Sequence, residues 1–212
     1  MLQTGGLGFG RRLALGSGGS VLAIEVVVVT ADHGEEFMEH GSIVHTKTLY
    51  DELLHVPLIF RGPGVPRGVR VRSMAALIDI VPTVLALAGI APPPGLDGRS
   101  LLPLLRGEKT VWRDHILYEY HWEWNFPATP TTLAIRTDRW KYIYYHGVWD
   151  HNGYYDLRTD PYERHNLINV PAFQDRISEL QRQLFTELEQ RGGLLLPIRP
   201  PAGERLDQRK LK

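Results

Sequence analysis

The stretch Val26-Val27-Val28-Val29-Thr30-Ala31-Asp32-His33-Gly34-Glu35 ends a β-branched run in a carboxylate and an imidazole. Side by side, Asp32 and His33 suit a divalent metal. His40, His45 and Lys47 follow within one short polar stretch. The separation from His33 to His45 is not a helical repeat, so the two rings meet only if the loop folds back. His45 has the chemistry to donate a proton to a leaving oxygen near neutral pH. Lys47 could set a positive charge against a developing oxyanion. Equally, both could start a solvated helix. Glu35, Glu36 and Glu39 are expected in solvent, and their mutual repulsion near an anionic ligand argues against their touching one. A second cluster, His146, Trp149, Asp150 and His151, follows an aromatic run. A sugar ring could stack on Trp149 and hydrogen-bond Asp150 or His146. The alternative is that Trp149 covers a hydrophobic core.

These side chains need elements to position them. The valines predict a strand over 21–31, buried on both faces as in a parallel sheet. Asp32 and His33 then lie at its carboxyl edge, where open α/β sheets bind ligands. A polar loop is expected over 32–45, a short helix over 46–54 and a second buried strand over 57–60. Val69 to Ser73 alternates like an edge strand. An apolar helix follows Asp79 and stops at Gly89, and Ser100 can cap a short helix over 101–105.

The composition changes near residue 111. Short strands are expected over 116–120, 132–136, 141–145 and 154–157, with Asp138-Arg139 as a hairpin connection. Asp156 and Asp160-Pro161 read as turn formers. Phe173, Ile177, Leu180, Leu184 and Leu188 share one face of a helix over 172–190. The predicted organisation is a poorly structured leader (1–20), an α/β portion (21–110), a small α+β subdomain (111–195) and a flexible tail (196–212).

Twenty-four basic residues balance twenty-four acidic ones, so no charge asymmetry points to nucleic acid. The absence of cysteine excludes disulfides, thiolate metal sites and a cysteine nucleophile within this sequence. No apolar run is long enough to cross a bilayer. Arg11-Arg12 precede Leu13-Ala14-Leu15, but Gly16, Ser17, Gly18 and Gly19 break the apolar core that an export signal needs.

Taken together, the motifs resemble the sulfatase family. The resemblance rests on Thr30-Ala-Asp-His-Gly-Glu-Glu-Phe, Glu39-His-Gly and Thr48-Leu-Tyr-Asp-Glu-Leu-Leu-His-Val-Pro-Leu-Ile. Asp79-Ile-Val-Pro-Thr-Val-Leu-Ala-Leu-Ala-Gly and Leu96-Asp-Gly-Arg-Ser-Leu-Leu-Pro-Leu-Leu-Arg-Gly continue it. Leu133-Ala-Ile-Arg-Thr-Asp-Arg-Trp-Lys-Tyr-Ile and Tyr155-Asp-Leu-Arg-Thr-Asp-Pro-Tyr-Glu-Arg-His-Asn-Leu are similar to the family's C-terminal region. Phe126-Pro-Ala-Thr-Pro-Thr-Thr with His146-Gly-Val-Trp-Asp is similar to members acting on sulfated amino sugars.

The resemblance, over about residues 22–195, implies an alkaline-phosphatase-like α/β sandwich with an α+β C-terminal subdomain. It implies sulfate-ester hydrolysis, with a sulfated small molecule or sugar as partner. Asp32 and His33 match metal ligands, usually of calcium, and His45 falls where relatives carry a lysine or histidine reaching the sulfate. Lys47 is the nearest lysine. Many members are periplasmic, secreted or lysosomal. The family's nucleophile is a formylglycine made within a Cys/Ser-x-Pro-x-Arg motif. That motif is absent from this sequence, as are the paired acidic metal ligands expected upstream. The expected function is therefore a sulfatase-type hydrolase whose chain is inactive alone. The alternatives are a phosphodiester or phosphonate hydrolase of the same superfamily, and a non-catalytic paralogue that binds sulfated glycans.

Overall fold

The structure is a computed structural model that describes residues 25–45, 48–121, 131–146 and 151–192. The expected leader (1–20), the tail (196–212), Lys47, Trp149 and Asp150 lie outside the described residues. The chain divides into two compact units, Met1–Ile116 and Leu117–Lys212.

In the first unit, β1 (Val27–Thr30) pairs with β4 (Leu58–Arg61), Val28 opposite Phe60 and Val29 opposite Ile59. The pairing is antiparallel, which corrects the expected parallel, doubly buried strand. Val28, Leu58 and Phe60 are half-buried, but Val27, Val29 and Ile59 share an exposed face, with Val29 51% accessible. A two-stranded ribbon covers its faces poorly, and the described residues add no further strand to it. The second strand falls within a residue of its expected span, and β1 covers only 27–30 of the expected 21–31, of which 21–24 lie outside the described residues; neither is buried as expected.

The loop after β1 holds a small hairpin that was not expected, β2 (Glu36–Phe37) with β3 (Ile43–Val44). The predicted helix over 46–54 contracts to α1 (Asp51–Leu54), with Leu49 and Leu53 buried. Tyr50 is extended, and Pro57 disfavours helical backbone at Val56, so little more than one turn remains. No strand forms over 69–73, because no described segment pairs with it. The helices α2 (Ile80–Leu87) and α3 (Leu102–Leu105) fall where expected. The Ser100 hydroxyl accepts the Leu102 N–H at 3.3 Å.

Asp79 explains why two separated motifs occur together. Its buried carboxylate accepts the backbone N–H groups of Ala76 and Arg99, both at 2.8 Å. It also takes the Arg113 guanidinium as a fork at 2.5 and 2.7 Å. The Thr83 hydroxyl donates to the Asp79 carbonyl and accepts the Leu101 N–H. Gly98 fits because a Cβ there would lie 2.0 Å from the Ile78 carbonyl oxygen. The Asp79–Thr83 and Gly98–Leu101 segments are thus two halves of one hydrogen-bonded knot.

The second unit is an antiparallel sheet in order β5 (His115–Tyr120), β6 (Thr131–Thr137), β7 (Trp140–His146) and β8 (Gly153–Asp156). The helix α4 (Gln174–Gln190) lays Ile177, Leu180, Leu184 and Leu188 against Leu133, Ile135, Tyr142 and Tyr154. This helical spacing and the sheet's period of two bring both apolar faces into one core. Asp156 is a turn former and more: it accepts a fork from Arg139 at 3.0 and 2.7 Å. That fork holds its carboxyl below the usual carboxylate range. Lys141 and Glu163, both fully buried, pair at 2.9 Å.

Candidate metal and hydrolysis site

Strand β1 delivers Asp32 and His33 just beyond its carboxyl end. Gly34 then pins the turn: its N–H donates to the Leu53 carbonyl at 2.9 Å. A Cβ at this position would sit 1.8 Å from the Glu52 carbonyl oxygen. Only glycine lets the loop lie this close to α1, so β1 and α1 together fix where Asp32 and His33 stand.

The Asp32 carboxylate accepts the His33 backbone N–H at 3.0 Å, and its side chain is 88% exposed. Nδ1 of His33 lies 2.9 Å from the Gly34 carbonyl. A carbonyl can only accept, so Nδ1 carries the hydrogen, and in the neutral ring Nε2 is the nitrogen that presents a lone pair. Nε2 faces Asp32 Oδ2 at 3.6 Å. One oxygen and one nitrogen thus point into open space from a backbone-fixed turn. These residues fit part of a divalent-metal shell. Two donors fall far short of the six to eight oxygens of calcium.

The loop folds back as required. The His45 ring stacks on His33 with centroids 4.0 Å apart, and its Nδ1 lies 2.7 Å from Glu35 Oε1. That contact leaves Nε2 of His45 for a ligand. The structure therefore sets His33 between Asp32, 3.6 Å from its Nε2, and the stacked ring of His45. His146 ends β7, exposed, with Nδ1 3.4 Å from the Tyr144 hydroxyl.

Sequence reasoning missed two acids. Glu35 is a partner of His45; its signal was its place two residues after His33 in a loop that had to return. Glu36, expected in solvent, is fully buried. Strand β2 turns it inward while Phe37 faces out, 75% exposed. The Thr48 hydroxyl donates to it at 2.8 Å, and His40 Nδ1 lies 3.6 Å from its other oxygen. Burial pushes the Glu36 carboxyl above its ordinary range.

Comparison with known proteins gives this geometry its context. The family model described as N-sulphoglucosamine sulphohydrolase, C-terminal, matches residues 38–190. Arylsulfatase K of Mus musculus is 39% identical over 150 residues, 67% of this chain and 26% of that protein. A Delta 4,5-hexuronate-2-O-sulfatase of Bacteroides thetaiotaomicron is 36% identical over 160 residues, 73% of this chain and 32% of that protein. The chain thus spans about a quarter to a third of the length of these relatives.

Solved structures agree. A 2-O GAG sulfatase superimposes with TM-score 0.68 at 32% identity, covering 78% of this chain and 36% of that one. A protein bound to its substrate D-glucosamine-2-N,6-O-disulfate gives 0.63 at 29% identity, covering 78% and 34%. The phosphonate monoester hydrolase of Silicibacter pomeroyi gives 0.65 at 29% identity, covering 78% and 35%. The fold is the α/β arrangement of the alkaline-phosphatase-like enzymes, with an antiparallel sheet and a long C-terminal helix. Sulfatases generally use a divalent metal, and no described helix is long and apolar enough to cross a membrane. By the extent of the family match and the chain of motifs it covers, this protein belongs to the sulfatase family.

Proposed function

We propose that this chain supplies part of a site for hydrolysing sulfate esters of sugars. The observation that carries the reading is Asp32 beside His33 at the carboxyl end of β1, with His45 stacked on His33, in a sulfatase-family chain. Asp32 and His33 would hold a divalent cation, calcium by family resemblance. Such a cation supplies positive charge against the sulfate oxygens. His45, oriented by Glu35 through Nδ1, is the candidate acid that returns a proton to the departing alcohol. Lys47, outside the described residues, is the alternative contact to the sulfate. The formylglycine expected of the family has no precursor motif in this sequence, so the chain alone is expected to turn over no sulfate ester.

The relative bound to a disulfated glucosamine supports a sulfated sugar as substrate class. His146, Trp149 and Asp150 are candidate sugar contacts, and the portions 21–110 and 111–195 would be the catalytic and α+β parts. The phosphonate hydrolase neighbour supports a second reading, hydrolysis of phosphonate or phosphodiester bonds at the same residues. A non-catalytic paralogue that only binds sulfated glycans remains the third reading. It predicts a sulfated-sugar-dependent rise in melting temperature without turnover.

A chimera tests the proposal. The matching C-terminal segment of the hexuronate sulfatase is replaced by residues 25–192 of this chain. Sulfate release from a 2-O-sulfated hexuronate is then assayed beside phosphate and phosphonate esters. Sulfate release that Asp32→Ala abolishes is expected. A preference for phosphonate would favour the second reading, and a folded chimera indifferent to Asp32→Ala and His33→Ala would refute the first.

A further inference from the structure

We infer that residues 61–72 form a docking strip for a sulfated polysaccharide, apart from the candidate hydrolysis site. Arg61, Arg67, Arg70 and Arg72 fall within twelve residues, and no acidic residue occurs between Glu52 and Asp79. In a chain whose charges balance overall, this is a local excess of positive charge. All four arginines are exposed. Among the described residues, none of the four guanidinium groups takes an ion pair, a hydrogen bond or a ring contact. Arginines elsewhere are held: Arg113 by Asp79, Arg139 by Asp156, Arg191 by Glu187. Glu25, whose backbone carbonyl lies close to Gly62, is exposed and pairs with none of the four.

The strip's chemistry and place select its partner. Its cations are arginines without a lysine among them. A guanidinium fork meets two oxygens of a tetrahedral anion at once, which a lysine point charge does not. Arg70 and Arg72 are two residues apart, so at most about 7 Å of backbone separates them. That is within the screening length of about 8 Å at physiological salt, and the two act as one field. Pro63 and Pro66 stiffen the turn between Arg61 and Arg67, where the Val65 N–H donates to the Gly62 carbonyl at 3.2 Å. Less order is then lost on binding. Strand β4 runs antiparallel to β1, so Arg61 stands opposite Val27. About 10 Å of strand separates Val27 from Thr30, and Asp32 lies beyond that far end. A single sulfated ring at Asp32 does not reach the strip, so its ligand is a polymer whose successive sulfates meet successive arginines. Choosing sulfated sugars over other polyanions rests on the sulfated-sugar reading above.

The test is calorimetric titration of the full 212-residue chain with heparin at several salt concentrations. Saturable binding that weakens as salt rises is expected. The triple variant Arg67→Ala, Arg70→Ala, Arg72→Ala should weaken it by about tenfold or more and lower the salt slope by about one for each arginine removed. The same loss of charge in the other unit, Arg158→Ala with Arg164→Ala and Arg182→Ala, should change it by less than about twofold. Lysine at the three strip positions should keep the salt slope and still weaken binding, because the fork is lost. Circular dichroism verifies that each variant is folded. Equal losses in the two alanine triples, or no salt-dependent binding, overturns the inference. So does equal affinity for heparin stripped of its sulfates, or for duplex DNA. Sulfate release by the chimera from the 2-O-sulfated hexuronate reports on the hydrolytic proposal separately. Strip-dependent heparin binding beside an inactive chimera would sink that proposal alone, and strip-independent binding beside an active chimera would sink this inference alone.

Discussion

The two units of this chain treat their apolar residues in opposite ways. In the second, Leu133, Ile135, Leu184 and Leu188 are sealed between sheet and helix. In the first, Val27, Val29 and Ile59 stand on an exposed sheet face beside the candidate site. The first unit instead leans on polar anchors: Asp79 with Arg113, and Gly34 against α1. The lesson is that a candidate site can be locally well positioned on a scaffold whose hydrophobic layer is incomplete among the described residues. Position there comes from hydrogen bonds and close backbone approach more than from packing.

The strongest way to break this contrast is to remove one partner of each buried ion pair. Asp79→Ala should cost the first unit about 3–5 kcal/mol, because it strands a mostly buried guanidinium and two backbone donors. Lys141→Met should cost the second unit a similar ~3–5 kcal/mol by stranding Glu163. Adding Glu163→Leu should recover most of the second loss, since packed apolar residues replace buried pairs well. Urea unfolding followed separately in each unit measures both.

Hydrophobic truncation should separate the units more cleanly. Leu184→Ala empties a fully buried position and should cost about 2–5 kcal/mol. Val29→Ala, on the exposed face, should stay within about 0.5 kcal/mol. Equal losses would show that the β1 face is covered. Gly34→Ala should cost about 1–3 kcal/mol, because the new methyl overlaps the Glu52 carbonyl. It should also weaken metal binding through the displaced His33, by a titration on the folded variant.

The smallest effect is pH-dependent, and its sign differs between the units. The folded Glu36 carboxyl titrates above its unfolded value near 4.5. The folded state therefore holds the extra proton, and Glu36 favours folding below that value and loses this contribution as pH rises through its raised folded value. Asp156 is the reverse: it titrates below its unfolded value near 3.8, so its contribution is present above that value and fades as pH falls through the depressed one. Glu36→Gln should flatten the first slope and Asp156→Asn the second, in stability measured from about pH 2 to about pH 7, a range that brackets both reference values.

The second unit was legible from the sequence because its periods were complete. The strands over 132–136 and 141–145 and the face Ile177, Leu180, Leu184 and Leu188 report burial that the chain itself provides. The first unit was legible in its motifs but not in its environment. A valine run has the same composition whether or not neighbouring strands cover it, so β1 read as doubly buried and parallel. Asp32, His33 and His45 are visible as residue types, but the return of the loop that stacks His45 on His33 leaves no periodic signal in the sequence. Glu36 was misjudged because charge outweighed the alternation that a two-residue strand, too short to show a period, imposes.

The central claim is that Asp32 and its neighbours are this chain's share of a sulfate-ester site. It is tested most directly by sulfate release from the chimera carrying residues 25–192, with and without Asp32→Ala. The account predicts sulfate release that falls by about 10²-fold or more in the variant. Equal release from the two folded proteins would contradict it.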